Sequence, residues 1–449
     1  MTTSTEAADP LIDKVPKASP IAATMDGRIA SVDALRGLTI LLMIFVNDLG
    51  PAAPSWMHHI QPPNADGMTL ADVVFPAFLF IVGVSIPLAF ERAHRDGTAI
   101  RARFGHILAR TASLLLLGVI VYNGEDGNTL NQPLWSVLAF AAAILAWCDV
   151  PRDGRPRRTA LSVARAIGIF GLVVLLALYR REPTTAVIPF LGAFDNWFWL
   201  QTGWWGILGL IGWAYLAVAI LTLILGRRRE WLMGAMAILL FLHIAARRGL
   251  FSRLDKKPWL GVLAEPLRVV AWGIDAVGNY VSLADALGSL AAISMAGCLL
   301  GSILRRDSDV ASPRDRLAWA GVFAIGLFLA GIVTDNLQGI NKIAATPTWC
   351  LWSAALTCLA WMILYRVIDV GGHRAWTIVV RPAGANPLVA YFLHPIIVEA
   401  LPMVGLGHAV LKYKDSHDPW VVVGGSIGMA LFVCAATGLL GRLGLRMRL

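Results

Sequence analysis

Twelve apolar runs follow one another through almost the whole chain, at approximately 34–50, 70–90, 105–123, 134–149, 161–180, 204–226, 231–246, 282–304, 317–334, 348–369, 384–403 and 420–441. A helix needs roughly 20 apolar residues to cross a bilayer. In lipid such runs can satisfy their backbone only as helices or as a closed barrel, and runs this long fit helices. The balance of residues agrees: 57% are hydrophobic and only 15% charged, where soluble domains carry about 25% charged residues. The expected fold is an all-α polytopic membrane protein, a bundle of about 12 transmembrane helices. The runs at 134–149 and 231–246 are short, and 10–11 spans result if they do not cross.

The charges between the runs order the expected bundle. The second run is followed by "ERAHRDGTAIRAR", the fourth by "PRDGRPRR", the sixth by "GRRRE", the eighth by "RRDSDVASPRDR", the tenth by "GGHRAWTIVVR", and the chain ends "GRLGLRMRL". Odd-numbered exits are mixed or acidic, as in "NGEDGNTLNQP" and "TDNLQGINK". Lys and Arg accumulate in cytoplasmic loops, so both termini are expected in the cytoplasm and the loop after the first run outside it. The segment 247–281, with Arg247, Arg248, Arg253, Lys256 and Lys257, breaks the pattern, but long loops follow the rule poorly. The pI near 9.6 thus comes from scattered clusters and implies no nucleic-acid partner. Residues 1–28 are polar and rich in Pro, Ala and Thr, and read as a disordered cytoplasmic tail before one membrane domain at 29–449. The five cysteines lie in or beside apolar runs without CxxC spacing, so neither a disulfide framework nor a metal site is expected. No internal repeat is evident, which withholds support from an inverted-repeat transporter.

Ionisable groups inside spans are expensive, at least ~2.5 kcal/mol at a helix centre, and mark candidate sites. In "SVDALRGLTILLMIFVNDLG", Asp33, Arg36, Ile40, Met43 and Asn47 share one helical face by steps of three and four. Asp33 and Arg36 can pair, and Gly37 lets another helix or a ligand approach beside the cation. Asn47 lies about 16 Å further along the axis. The next loop holds His58 and His59 among Pro51, Pro54, Pro62 and Pro63, and Asp72 opens the second run. Imidazole titrates near pH 6.5 and suits proton exchange. Asp72 can orient it or bind an amine, or simply complement the helix dipole. Downstream, Asp335, Asn336, Asn341 and Lys342 cluster in one short connection. Asn386, Tyr391 and His394 fall in "GANPLVAYFLHP". A histidine inside a span, such as His394, more often bonds a neighbouring helix than reacts.

"SVDALRGLTILLMIFVN", "TLADVVFPAFLFIVGVSI", "GINKIAATPTWCLWS" and "GANPLVAYFLHP" resemble, in this order, blocks of the heparan-alpha-glucosaminide N-acetyltransferase-like family of membrane acyltransferases, and "WWGILGLIGWAYL" looks like a segment of its bacterial branch. The resemblance implies acetyl transfer from cytoplasmic acetyl-CoA, with no metal, to an amino sugar or glycan amine across the membrane. It also implies a bacterial inner membrane location and a catalytic histidine eleven positions after the Asn of the V-N motif. Counted from Asn47 that is His58, with His59 as competitor because the loop before the D-V-V-F-P block is longer than usual. Cofactor contacts are expected from Arg36, Asp33 and Gly37. Acceptor contacts are expected from Asp72, Asn341, Lys342, Asn386 and Tyr391. Asn47 can donate to the thioester oxygen as charge builds there, worth about 3 kcal/mol in a favourable case. The sequence departs from the family pattern at "LADALGSLAAI", where Asp285 replaces a Pro-Glu pair, at "NQPLWSVLAF", and around Trp349, which leaves the acceptor open. Expected partners are the coenzyme A thioester, the acceptor and the bilayer; a homodimer is left open. A transporter or flippase for a sugar or glycolipid is the rival reading. It explains the spans but not an external histidine pair beside a V-N motif.

Overall fold

The computed structural model describes residues 29–125, 132–151, 157–188, 192–250 and 285–449. The expectations for residues 1–28 and for Arg253, Lys256 and Lys257 lie outside the described residues. The structure has twelve apolar helices among them: α1 (Ala30–Asp48), α2 (Leu70–Arg95), α3 (Ile100–Glu125), α4 (Gln132–Ala146), α5 (Arg157–Leu178), α6 (Gly206–Leu225), α7 (Arg229–Arg247), α8 (Asp285–Ile303), α9 (Pro313–Gln338), α10 (Pro347–Val370), α11 (Pro387–Met403) and α12 (Pro419–Arg442). Ten are long and apolar enough to cross a membrane. The fold is an all-α polytopic membrane protein. Each helix coincides with one of the twelve apolar runs. The two short ones are α4, with 15 residues, and α11, with 17. They pack together, Phe140 against Phe392 at 5.5 Å between ring centres. The expected short span at 231–246 is instead a 19-residue helix, because Arg229 and Glu230 extend its start. One element was not foreseen: an antiparallel hairpin of β1 (Thr184–Ile188) and β2 (Gly192–Trp197) between α5 and α6.

The core sits where α2 crosses α8. Every residue from Leu290 to Ile303 is buried, which an apolar helix permits only if other helices surround it. Glycine makes the crossing close. A Cβ on Gly83 would meet the Ser294 carbonyl oxygen at 1.8 Å, and one on Gly297 would meet that of Phe80 at 1.9 Å. Gly297 and Gly301 form a G-x-x-x-G pair on α8, the spacing that lets membrane helices touch backbone to backbone. Gly297→Val should therefore destabilise the fold by about 3 kcal/mol or more, since the blocking atoms are main chain that cannot yield. A melting temperature in detergent equal to that of the wild type would contradict this packing.

The even-numbered helix exits gather at one end. Arg92 and Arg95, in the last turn of α2, line a cavity with Arg36 of α1 and Arg306, after α8. Arg227, after α6, borders another with Arg103 and Arg305. Asp369, near the end of α10, accepts the first backbone N–H groups of α1, Ala30 at 3.1 Å and Ser31 at 3.0 Å. Asp149, after α4, donates its N–H to the Arg446 carbonyl beyond α12. The described ends of the even-numbered helices thus share one face of the bundle, as alternating crossings require. The loop between α1 and α2 lies at the opposite end.

Candidate active site in the loop between the first two helices

Asp72 organises the site. It stands at the third position of α2, where a carboxylate can serve the unpaired N–H groups of a helix start. Its Oδ2 accepts the Thr69 N–H at 3.1 Å and the Ile60 N–H at 3.2 Å, and lies 2.9 Å from Thr69 Oγ1. The other oxygen, Oδ1, is 2.7 Å from His59 Nδ1. The Asp72 side chain is 2% exposed and the His59 ring 48%. A buried anion thus holds a ring that is open to solvent. Two of the three roles open to Asp72, the charge at a helix start and the orienter of an imidazole, are present in one side chain.

The backbone of α2 is served from another helix. Pro76 has no N–H, so the Asp72 carbonyl four residues earlier has no helical donor. The Trp349 indole N–H, from α10, donates to it at 3.0 Å. The same connection brings Lys342 to the site. Its Nζ lies 3.2 and 3.3 Å from the two ring nitrogens of His59 and 3.9 Å from Asp72 Oδ1. Burial lowers the Lys342 ammonium below the usual lysine range, and the Asp72 charge opposes that shift.

His58 is placed differently. It is half-buried, its carbonyl meets the Thr69 hydroxyl, and its Nε2 is buried with no partner among the described residues. Asn341 holds the loop: its amide donates to the Pro63 carbonyl at 2.8 Å and to that of Ala65 at 3.0 Å. Asp66 fastens the same connection by accepting the Ile340 N–H at 2.6 Å. Asn47 is exposed at the end of α1, whereas its neighbour Asp48 is fully buried.

The remaining expected residues stand elsewhere. Asn386 begins α11 at the Arg36 end, where it donates to the Leu445 carbonyl at 3.0 Å and accepts the Met447 N–H at 3.2 Å. Tyr391 is buried on α11 against Phe392. Neither is brought to His59 by these contacts. Arg36 donates to Asp33 at 3.2 Å and to Ser85 Oγ at 3.0 Å. Together they line a cavity of about 220 Å³ with Glu91, Arg92, Arg95 and Arg306. The close approach expected at Gly37 is made by protein: a Cβ there would meet the Val380 carbonyl oxygen at 2.3 Å. On that side no room remains for a ligand.

A family profile described as "Domain of unknown function (DUF5009)" matches residues 28–185. The chain is 35% identical to human heparan-alpha-glucosaminide N-acetyltransferase (Homo sapiens) over 115 residues, which are 26% of this chain and 17% of that protein. It is 38% identical to the mouse protein of the same name (Mus musculus) over 96 residues, 21% and 14% of the two chains. The chain is a relative of these acetyltransferases over part of its length. It spans 17% and 14% of their lengths in these matches.

Sequence reasoning missed a second buried cluster beside this loop. Asp48 Oδ1 lies 3.1 Å from His394 Nε2 and 2.7 Å from Lys414 Nζ, and Asp48 also accepts the Tyr413 hydroxyl. The expectation that His394 bonds a neighbouring helix matches this contact. The signal available was Asp48 itself, a carboxylate ending an apolar run. Its partners lie 346 and 365 residues away in sequence, and no periodicity could join them.

Proposed function

We propose that the protein transfers an acetyl group from acetyl-CoA, entering at the Arg36 end, to the amine of an amino sugar or related glycan at the His59 end. The observation that carries this reading is the His59–Asp72 pair, a solvent-open imidazole fixed by a buried carboxylate. The kinship with named acetyltransferases and the arginine-lined cavity at the far end support it.

His59 acts as general base. Asp72 holds the proton on Nδ1, which leaves Nε2 to accept. The acceptor nitrogen attacks the thioester carbonyl carbon, and Nε2 takes the proton that the nitrogen sheds. The carbon–sulfur bond then breaks, and the imidazolium returns its proton to the departing thiolate. The products are an N-acetyl amine and free coenzyme A. The arginines around Arg36 fit the phosphates of the donor, because guanidinium binds phosphate oxygens in pairs. Family spacing favours His58 and the geometry favours His59.

The test uses purified protein reconstituted in vesicles, labelled acetyl-CoA on one side and glucosamine on the other. Labelled N-acetylglucosamine on the acceptor side supports the reading. Absence of acetylated product across a panel of amino sugars, with the donor supplied on either side, would overturn it. Arg36→Ala should raise the KM for acetyl-CoA about tenfold with little change in that for the amine, since a hydrogen bond to a charged group is worth ~1.5–3 kcal/mol. An unchanged donor KM would leave Arg36 only its Asp33 and Ser85 contacts.

A further inference from the structure

Acid–base chemistry at His59 and Asp72 leaves one charged group of the site without a step. Lys342 sits in the connection between α9 and α10, and that connection is fixed from several sides. The Ile340 carbonyl accepts the Gly67 N–H at 2.8 Å. Thr346 Oγ1 accepts the Asn341 N–H at 2.9 Å, and Asn341 Oδ1 accepts that of Ala344 at 2.8 Å. The Lys342 carbonyl accepts the Ala345 N–H at 3.0 Å. Ala345, 3% exposed, stands at φ 47°. That left-handed conformation is costly for a residue with a Cβ and persists where its surroundings impose it. The Lys342 side chain, 22% exposed, thus rises from a turn held in place.

The ammonium is set against the imidazole. Its distance to Asp72 Oδ1, 3.9 Å, is longer than a hydrogen bond, and that oxygen already meets His59 Nδ1 at 2.7 Å. Nζ lies almost equally far from the two ring nitrogens, 3.2 and 3.3 Å, and so stands on the nitrogen side of the ring. With the proton on Nδ1, the ring offers its lone pair at Nε2. The acceptor amine needs that same lone pair. When its nitrogen arrives at Nε2, the ammonium must turn to another acceptor of hydrogen bonds close by. The thioester carbonyl oxygen is such a group, since it is bonded to the carbon under attack and gains negative charge as the bond forms.

We propose that Lys342 is a catalytic residue of acetyl transfer, its Nζ donating to the thioester carbonyl oxygen and holding the oxyanion of the tetrahedral intermediate. The inference rests on the acetyl-transfer reading. As the nitrogen–carbon bond forms, the carbonyl π pair moves onto the oxygen, where Nζ–H meets it. The pair then returns, the carbon–sulfur bond breaks, and the thiolate takes the proton held by His59. Lys342 keeps its own protons throughout. From sequence, Asn47 reads as the donor to this oxygen and Lys342 as an acceptor contact; of the two, Lys342 is the one in contact with the His59 ring among the described residues.

The experiment assays the wild type and Lys342→Met with glucosamine and either acetyl-CoA or dithioacetyl-CoA, in which sulfur replaces the carbonyl oxygen. With acetyl-CoA, Lys342→Met should lower kcat by about 10²–10³-fold, the range for loss of one oxyanion donor, with both KM values little changed. Sulfur accepts hydrogen bonds poorly, so on exchange of oxygen for sulfur the wild type should lose about tenfold more rate than the variant. A raised KM for the amine with kcat kept would make Lys342 an acceptor anchor and overturn the proposal. Equal sensitivity to sulfur in both proteins would also overturn it. If Lys342→Met does not fold, Lys342→Gln, which keeps a donor without the charge, takes its place. Failure of both to fold would assign the ammonium to structure and refute the catalytic role. A wild type that acetylates no amine would remove the acetyl-transfer reading and this role with it, whereas a wild-type rate matched by Lys342→Met would remove this role alone.

Discussion

His59→Ala should lower acetyl transfer by about 10²–10⁴-fold, the range for loss of a positioned general base. Expression and coenzyme A binding should stay near normal, because His59 is half-exposed and lies at the end opposite Arg36. Asp72→Asn should come close to this loss. An amide cannot hold the proton on Nδ1 as a carboxylate does, while most of the helix-cap contacts survive. His58→Ala should cost less, since its ring has no carboxylate partner among the described residues. The reverse ranking, activity kept in His59→Ala and lost in His58→Ala, would move the base to His58. Activity kept in both would remove the loop histidines from the mechanism. Lys342→Met removes the ammonium 3.2 Å from the His59 ring and should lower kcat/KM for acetyl transfer. A kcat/KM equal to that of the wild type would show that Lys342 takes no part in the site.

The twelve helices were legible because the bilayer reduces the problem to length and polarity. A run of about 20 apolar residues has few alternatives. Helix ends were harder. α2 and α9 each reach 26 residues, roughly 39 Å at 1.5 Å per residue, so their charged ends pass beyond the apolar run that announced them. The hairpin at Thr184–Trp197 escaped because its strands are only five and six residues long. The site divided along a similar line. Asp72 and His59 are 13 residues apart, and their contact follows from a short loop folding back on a helix start. Lys342 was singled out, but not its place against His59, which depends on how α9 and α10 pack against α2. From sequence alone, Asn341 and Asn386 read as acceptor contacts. Their amides are occupied by backbone groups of Pro63, Ala65, Leu445 and Met447. A polar residue in an apolar sequence announces that it needs a partner, and backbone is the commonest one.

Asp48→Ala should destabilise the protein by about 3 kcal/mol, the low end for breaking a buried ion pair. Asp48 is 0% exposed and ends α1, where three groups converge on it. His394 comes from α11, while Tyr413 and Lys414 come from the connection to α12. Its own carbonyl accepts the Ser426 hydroxyl at 3.2 Å. Removing the carboxylate leaves an uncompensated cation and two unmet polar groups. The loss sits at the low end because the Lys414 side chain is 23% exposed and can turn to water. Asp48→Asn should lose less, since an amide oxygen still accepts from Tyr413. Adding Lys414→Met to Asp48→Asn should recover stability, which neither a cavity nor a helix-cap effect would produce. The alkaline side adds a signature. Burial, and then the Asp48 carboxylate, push the Tyr413 phenol well above the ordinary tyrosine range. The unfolded chain therefore releases this proton first, and the contribution is whole below about pH 10 and falls as pH rises above it. Asp48→Ala should make that alkaline decline shallower. The lysine backbone also crowds the root of the histidine loop, where a Cβ on Gly50 would meet the Lys414 carbonyl oxygen at 2.2 Å. The same substitution should thus lower turnover in the fraction that remains folded. A melting temperature and an alkaline profile both equal to the wild type would show that the cluster holds nothing in place.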